Sequence, residues 1–223
     1  MPRVSVIIPT RNEEEAIGRV LDEVKKALSG WDREILVVDT DSRDRTREIA
    51  AGMGARVVDE PRRGYGRAYR TGFAEARGDV IATLDADLTY PADRIPEFAV
   101  RVLEGKADFI SGDRLSRLRP ESMSGMHRVG NGILNVTFRV LFRHRIRDSQ
   151  SGMWVFRRSL LAAFDLRSDG MALSEELKVE AIRKARFLEV PIDYRPRVGE
   201  KKIRSVRDAV KNELFLFRKR FGG

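Results

Sequence analysis

The sequence predicts an α/β fold, a mostly parallel sheet with helices on both faces. Strand-like and helix-like segments alternate over the first half, which is the order a parallel sheet needs. The strand segments are near-continuous apolar runs, as strands buried on both faces must be. The helical segments carry apolar residues at i, i+3, i+4, i+7. Residues 4–8 (Val4-Ser5-Val6-Ile7-Ile8) make the first strand, and 13–28 the first helix, with Ile17, Val20, Leu21, Val24 and Leu28 on one face. A strand at 35–38, a short helix at 44–51, a strand at 56–58 and a helix at 65–76 follow. A strongly apolar strand at 80–84, a helix at 95–103 and a strand at 108–111 complete the first half. Beyond it the pattern predicts a helix near 129–142, a strand at 153–156, a helix at 175–185, a strand at 187–190 and a last helix at 206–220. No Pro/Gly/Ser-rich linker interrupts the chain, so residues 1–223 read as one domain with two halves, 1–112 and 113–223.

With 42% hydrophobic and 35% charged residues the composition is globular, and the length suffices for one core. The absence of cysteine excludes disulfides and thiolate metal sites and is compatible with a reducing cytoplasm. There is neither a signal-peptide pattern nor an apolar run near the ~18 residues that span a bilayer. The expectation is a cytoplasmic protein, soluble or resting on a membrane without crossing it. The net charge of +9 is uneven: residues 114–147 hold eight arginines against Glu121, and 195–223 hold ten Lys or Arg against three acids. Such a basic second half calls for an anionic partner. Nucleic acid is the weaker reading, because Phe138, Phe142, Phe215, Phe217 and Phe221 fall among Leu, Ile and Val in helices instead of forming a stacking surface. The glycines at 64–72 are not Gly-x-Gly-x-x-Gly after a first strand, and no P-loop motif occurs.

In parallel α/β sheets ligands bind where strands end. The strand ends here are Pro9-Thr10-Arg11-Asn12-Glu13, Asp39-Thr40-Asp41-Ser42, Arg63-Gly64-Tyr65-Gly66-Arg67-Ala68 and Asp85-Ala86-Asp87. Asp85 and Asp87 can hold a hard divalent cation, Mg²⁺ or Mn²⁺, against a diphosphate. Asp39 and Asp41 can accept hydrogen bonds from a ribose or base, while Asp41 or Ser42 can equally cap the following helix. Gly64 and Gly66 bring backbone close to a ligand or simply open a helix.

Taken together, Pro9-Thr10-x-Asn12-Glu13, Val37-Val38-Asp39, Gly64-x-Gly66-x-Ala68, Gly78-Asp79 and Asp85-Ala86-Asp87-Leu88 resemble the family-2 glycosyltransferases in order and spacing. Gly112-Asp113-Arg114, Asp148-Ser149-Gln150-Ser151-Gly152-Met153, Glu189-Val190-Pro191-Ile192 and Tyr194-Arg195-x-Arg197-x-Gly199 resemble the polyprenyl-phosphate branch, typified by dolichyl-phosphate mannosyltransferases. The resemblance implies a GT-A fold, a nucleotide-sugar donor (GDP-mannose, or UDP-glucose as the alternative), a divalent cation and inverting transfer to polyprenyl or dolichyl phosphate. It makes 1–112 the donor half and 113–223 the acceptor half. Pro9, Thr10, Glu13, Asp39, Asp41 and Gly66 would surround the nucleotide, and Asp85 and Asp87 would bind diphosphate and metal. Departures occur at Asp39-Thr40-Asp41, at Thr89, where a glutamine is usual, and at Gly199-Glu200-Lys201-Lys202.

A phosphate monoester is mostly dianionic near neutrality, so it needs cations to align it more than a base. Arg114, Arg128, Arg197 and Lys202 are the candidates, with Glu176 (or Glu175) as the acid if a base is used. Asp87, Arg114 and Glu176 are thus the expected catalytic set. Segments 133–146 and 206–221 combine apolar stripes with flanking cations, the composition of helices that lie on a membrane surface.

Overall fold

The computed structural model describes residues 3–118, 122–123, 125–199 and 205–222, without side chains at 205–209. Seven strands form one sheet: β1 (Val4–Thr10), β2 (Arg33–Asp39), β3 (Arg56–Asp59), β4 (Val80–Thr83), β5 (Phe109–Asp113), β6 (Trp154–Arg157) and β7 (Phe187–Pro191). The helices are α1 (Ile17–Ala27), α2 (Thr46–Gly52), α3 (Tyr65–Glu75), α4 (Ile95–Leu103), α5 (Gly125–Phe142), α6 (Leu173–Lys184) and α7 (Ser205–Phe221). The sheet order is β3-β2-β1-β4-β6-β5-β7. All neighbours are parallel except β6, which runs antiparallel between β4 and β5. Periodicity could not reveal that reversal, because an apolar strand reads the same in either direction.

Apolar strand residues feed two cores, one on each face. Val6, Ile8, Val37 and Ala82 pack with α1 and α4, and Ile7, Val38, Ile81 and Phe156 with α3 and α6. α1 shows the arithmetic of its stripe: Ile17, Val20, Leu21 and Val24 are buried, as the spacing predicted. It starts four residues later than expected, because Ala16 and Ile17 donate to the Glu13 carbonyl in a preceding turn. Gly72 of α3 lies against β1 and β2, where a β-carbon would collide with Ile7 and reach 3.1 Å from Val38, so α3 can lie flat on the sheet only with glycine there.

The topology creates the site. Chain order runs outward from β1 through β2 to β3, then crosses back to place β4 on the other side of β1. Parallel strands diverge in their connections at such a point and leave a crevice at their carboxyl ends. Pairing of β1 with β4 stops at Ile7↔Thr83, while β1 stays paired with β2 to Thr10↔Asp39. Pro9, which has no N–H to give, lies beyond the β4 pairing, where it costs no ladder bond on that side.

A third, smaller core joins α5, α6 and α7 through Leu134, Phe138, Val179 and Leu216. α6 is enclosed, with every residue from Leu173 to Ala181 buried, including Glu175, Glu176, Lys178 and Glu180. Nine of the ten exposed large apolar side chains among the described residues lie on α5 and α7: Met126, Val129, Ile133, Val136 and Val140, then Val210, Leu214, Phe217 and Phe221. None of the described helices is long and apolar enough to cross a membrane.

Candidate active site

Asp39, at the end of β2, is buried and saturated. Its Oδ1 accepts from Thr10 Oγ1 (3.0 Å) and Ser42 Oγ (2.5 Å), and its Oδ2 from Ser42 N (3.0 Å) and Arg47 (3.3 Å). It therefore ties the first two strand ends together. Neither Asp41 nor Ser42 caps α2; Asp44 does the nearest thing, accepting from Thr46 N and Thr46 Oγ1. Asp41 is exposed in a left-handed conformation (φ 53°), which leaves its carboxylate on the rim. Glu13 is buried beside it in the fold of the first loop, its N–H donated to Thr46 Oγ1.

Asp85 and Asp87 follow β4 in a turn that puts Leu88 at φ 65°. Asp87 Oδ1 accepts from Thr89 N (3.1 Å) and Thr89 Oγ1 (2.6 Å), so the threonine found in place of glutamine fixes this carboxylate's orientation. Its Oδ2 faces Arg197 Nη1 at 3.3 Å, and Arg197 Nη2 also reaches Glu13 at 2.9 Å. Asp85 Oδ1 receives only long bonds from Tyr65 (3.3 Å) and Tyr69 (3.4 Å). Burial first, and then the adjacent Asp87 charge, push the Asp85 carboxyl up to about 7, against the pull of Arg114 and Arg197. Two carboxylates held this close repel unless a cation joins them. The donor set therefore fits a divalent ion with two protein oxygens, the remainder coming from phosphate and water, as is usual for Mg²⁺ and Mn²⁺. No cluster of three or more His, Cys, Asp or Glu suited to a metal occurs among the described residues.

The opposite wall is built on a buried arginine. Arg114 N and Nε donate to Asp148 Oδ2 (3.0 and 2.7 Å) and Nη2 to Oδ1 (2.8 Å), a bidentate fork; the guanidinium also lies 5.3 Å from the Tyr194 ring centroid. Burial would raise the Asp148 carboxyl, but the charges of Arg114 and Lys178 and the fork's hydrogen bonds hold it below the usual carboxylate range. Lys178 reaches up from α6 and donates to three carbonyls, those of Asp148 (2.8 Å), Ser149 (2.9 Å) and Ser151 (3.0 Å). Its burial brings the ammonium down to about 8. The loop so held ends at Gly152, whose N–H donates to Tyr90 Oη at 2.7 Å and whose missing β-carbon would strike Tyr65 Oη.

Several expected site residues stand elsewhere. Glu176 does not point into this cleft as a base: its Oε2 accepts the backbone N–H groups of Arg167 (3.0 Å) and Ser168 (2.8 Å), and Lys219 stands 3.6 Å from Oε1. Glu175 is fully buried beside Gln150, which completes no well-formed bond to it, and burial holds its carboxyl well above the usual range. Gly66 approaches protein backbone and not an open cleft, since a β-carbon would collide with Ser168 O and sit 2.8 Å from Gly170 O. Arg197, grouped with the acceptor cations, pairs with the carboxylates of Glu13 and Asp87. Arg128 is exposed on the first turn of α5 with no contact to this cluster, and Lys202 lies outside the described residues. Sequence reasoning missed the Lys178 brace and the Tyr65–Tyr69–Tyr90 wall, because a lone lysine or tyrosine carries no signal of what it faces.

The family profile of Glycosyl transferase family 2 matches residues 5–164. The chain is 39% identical over 220 residues to the low-salt glycan biosynthesis hexosyltransferase Agl6 of Haloferax volcanii, covering 96% of this chain and 53% of that protein. It is 37% identical over 201 residues to a dolichyl-phosphate hexose transferase of the same organism, covering 90% and 86%. The chain thus spans about half of the first relative and most of the second. Its fold matches glucosyl-3-phosphoglycerate synthase from Mycobacterium tuberculosis, solved with Mn²⁺, UDP-glucose and phosphoglyceric acid, at TM-score 0.80 and 20% identity over 99% of this chain and 80% of that one. The fold is therefore the GT-A architecture that the motifs implied, and the chain belongs to glycosyl transferase family 2.

Proposed function

We propose that this protein transfers a hexose, with mannose from GDP-mannose favoured, from a nucleotide sugar to polyprenyl or dolichyl phosphate, with inversion. The observation that carries this reading is the gathering of two kinds of charge at one rim: Asp85 and Asp87 at β4's end, Arg197 3.3 Å from Asp87, and Arg114, held by Asp148, close enough to act on Asp85. In the reaction an acceptor phosphate oxygen bonds to the sugar's anomeric carbon as the bond from that carbon to the diphosphate breaks. No proton needs to move, and negative charge passes from the acceptor phosphate to the departing nucleoside diphosphate. A bound Mg²⁺ or Mn²⁺ would neutralise that charge, held by Asp85 and Asp87. Arg114, fixed by Asp148, keeps its Nη1 end outside the fork and available to a phosphate oxygen. Arg197 faces the leaving diphosphate's side of the crevice. A dianionic acceptor brings its own nucleophile, and Glu176's engagement with backbone accords with this.

The exposed apolar faces of α5 and α7 support docking on the membrane that holds the acceptor, as lipid-tailed substrate leaves a bilayer only at ~0.8 kcal/mol per exposed CH₂. Screening GDP- and UDP-sugars for thermal stabilisation with and without Mn²⁺ tests the donor side. GDP-mannose should stabilise the protein, more so with Mn²⁺; indifference to every nucleotide sugar would defeat the reading, and stabilisation by UDP-glucose alone would make glucose the hexose.

A further inference from the structure

We infer that the groove where the carboxyl-terminal ends of α5 and α7 meet α6 binds the anionic headgroup of a bilayer phospholipid, at a site separate from the catalytic crevice. This deepens the membrane-docking reading above and rests on it. The groove encloses about 190 Å³. Its floor is apolar, with Phe138 and Phe142 of α5 and Ile182 of α6 among its residues, and Arg143, Arg183 and Arg220 line it as well. It shares no residue with the cluster around Asp85.

Some exposed or half-exposed arginines of this chain are matched with acids, as Arg45 is with Glu48, Arg56 with Glu75 and Arg186 with Asp108. Arg143, Arg183 and Arg220 are exposed and pair with no carboxylate among the described residues. Glu180, one turn before Arg183 on α6, is already taken by Lys184 and Lys219. Two of the three instead lie over rings, Arg183 5.5 Å from the Phe142 centroid and Arg220 5.7 Å from that of Phe221. Unpaired guanidinium groups above an apolar floor match a phosphate with the first carbons attached to it.

Size and surroundings narrow the occupant. The volume is below the roughly 300 Å³ at which pockets for whole small ligands begin, so a nucleotide sugar is excluded. Around the mouth, Val140, Phe217 and Phe221 are among the exposed apolar residues, which would enter the interfacial region of a bilayer and bring the groove to headgroup depth. The charge and the apolar rim together select a phospholipid at a membrane surface over a free phosphate in solution.

The test measures partitioning of the full chain onto phosphatidylcholine vesicles with and without phosphatidylglycerol. The variant R143Q/R183Q/R220Q should lose about tenfold or more of its binding to anionic vesicles, since each cation at such a surface contributes substantially. A control variant, R19Q/K25Q/K26Q on α1, removes the same charge from another face and should lose less than about threefold. Equal losses in both variants, or parental binding by the groove variant, would overturn the assignment. Turnover with a short-chain polyprenyl phosphate in detergent should be unchanged in the groove variant; if the variant loses it, the groove belongs to the acceptor site instead. If the parent shows no such turnover, the proposed reaction fails while the vesicle comparison still decides the groove.

Discussion

Asp85 concentrates the cost of the site in one residue. Its carboxyl has a raised value of about 7 in the fold, against an ordinary value of 3.8. A raised acid binds its proton more tightly folded than unfolded, so its penalty is absent below about pH 4, grows through the interval, and is complete above about pH 7. Asp85→Asn should therefore stabilise the cation-free protein at pH 8 by on the order of 1–3 kcal/mol, and by nothing near pH 4. Urea melts at the two pH values measure this; equal stability of parent and variant at pH 8 would refute it. Added Mn²⁺ should stabilise the parent and not the variant. Lys178 acts in the opposite sense. Lys178→Met leaves three buried carbonyls without their donor and Asp148 with Arg114 alone of its two neighbouring cations, and should destabilise by about 2–4 kcal/mol in the same assay. A change below about 0.5 kcal/mol would mean the 148–151 loop stands without it.

At the scale of elements, the sequence was most readable where one periodicity had one cause. The stripes of α1 and α4 and the apolar runs of β1, β2 and β4 each answer to a single buried face, and their positions follow from the spacing. α6 could not be read that way, because both of its faces are enclosed and its acids and lysine are buried with its leucines. The resemblance puts an acid of this stretch, Glu176 or Glu175, in the cleft, whereas in the fold Glu176 accepts the backbone N–H groups of Arg167 and Ser168. The stripe on α7 was legible, but a stripe does not say whether it faces protein or solvent. In the fold it divides: Leu216 is buried against α5 and α6, while Val210, Leu214, Phe217 and Phe221 are exposed. Phe217→Ser with Phe221→Ser should consequently leave stability within about 0.5 kcal/mol and sharply reduce flotation with anionic liposomes. Undiminished flotation would remove α7 from the docking surface.

Over the whole molecule, the strand-end motifs come to share one rim because a parallel sheet sends its loops to one side, whatever their length. What they could not supply was the partnership of residues far apart in sequence. The pairing of Arg114 with Asp148 joins residues 34 apart within the second half, and that of Arg197 with Glu13 and Asp87 depends on how the second half folds back over the first. That folding back adds Arg197 to the rim that carries Glu13 and Asp87. The reading of the whole molecule thus hangs on Asp85 and Asp87 serving a nucleotide sugar opposite a phosphate acceptor. The most direct measurement is hexose transfer from GDP-mannose to a polyprenyl phosphate with Mn²⁺, comparing parent with Asp87→Ala. The parent should form the glycosyl phosphodiester and the variant should lose at least about a hundredfold in turnover, since one of the two carboxylates proposed to hold the ion is gone. Near-parental turnover by Asp87→Ala, with the same Mn²⁺ present, would contradict the account.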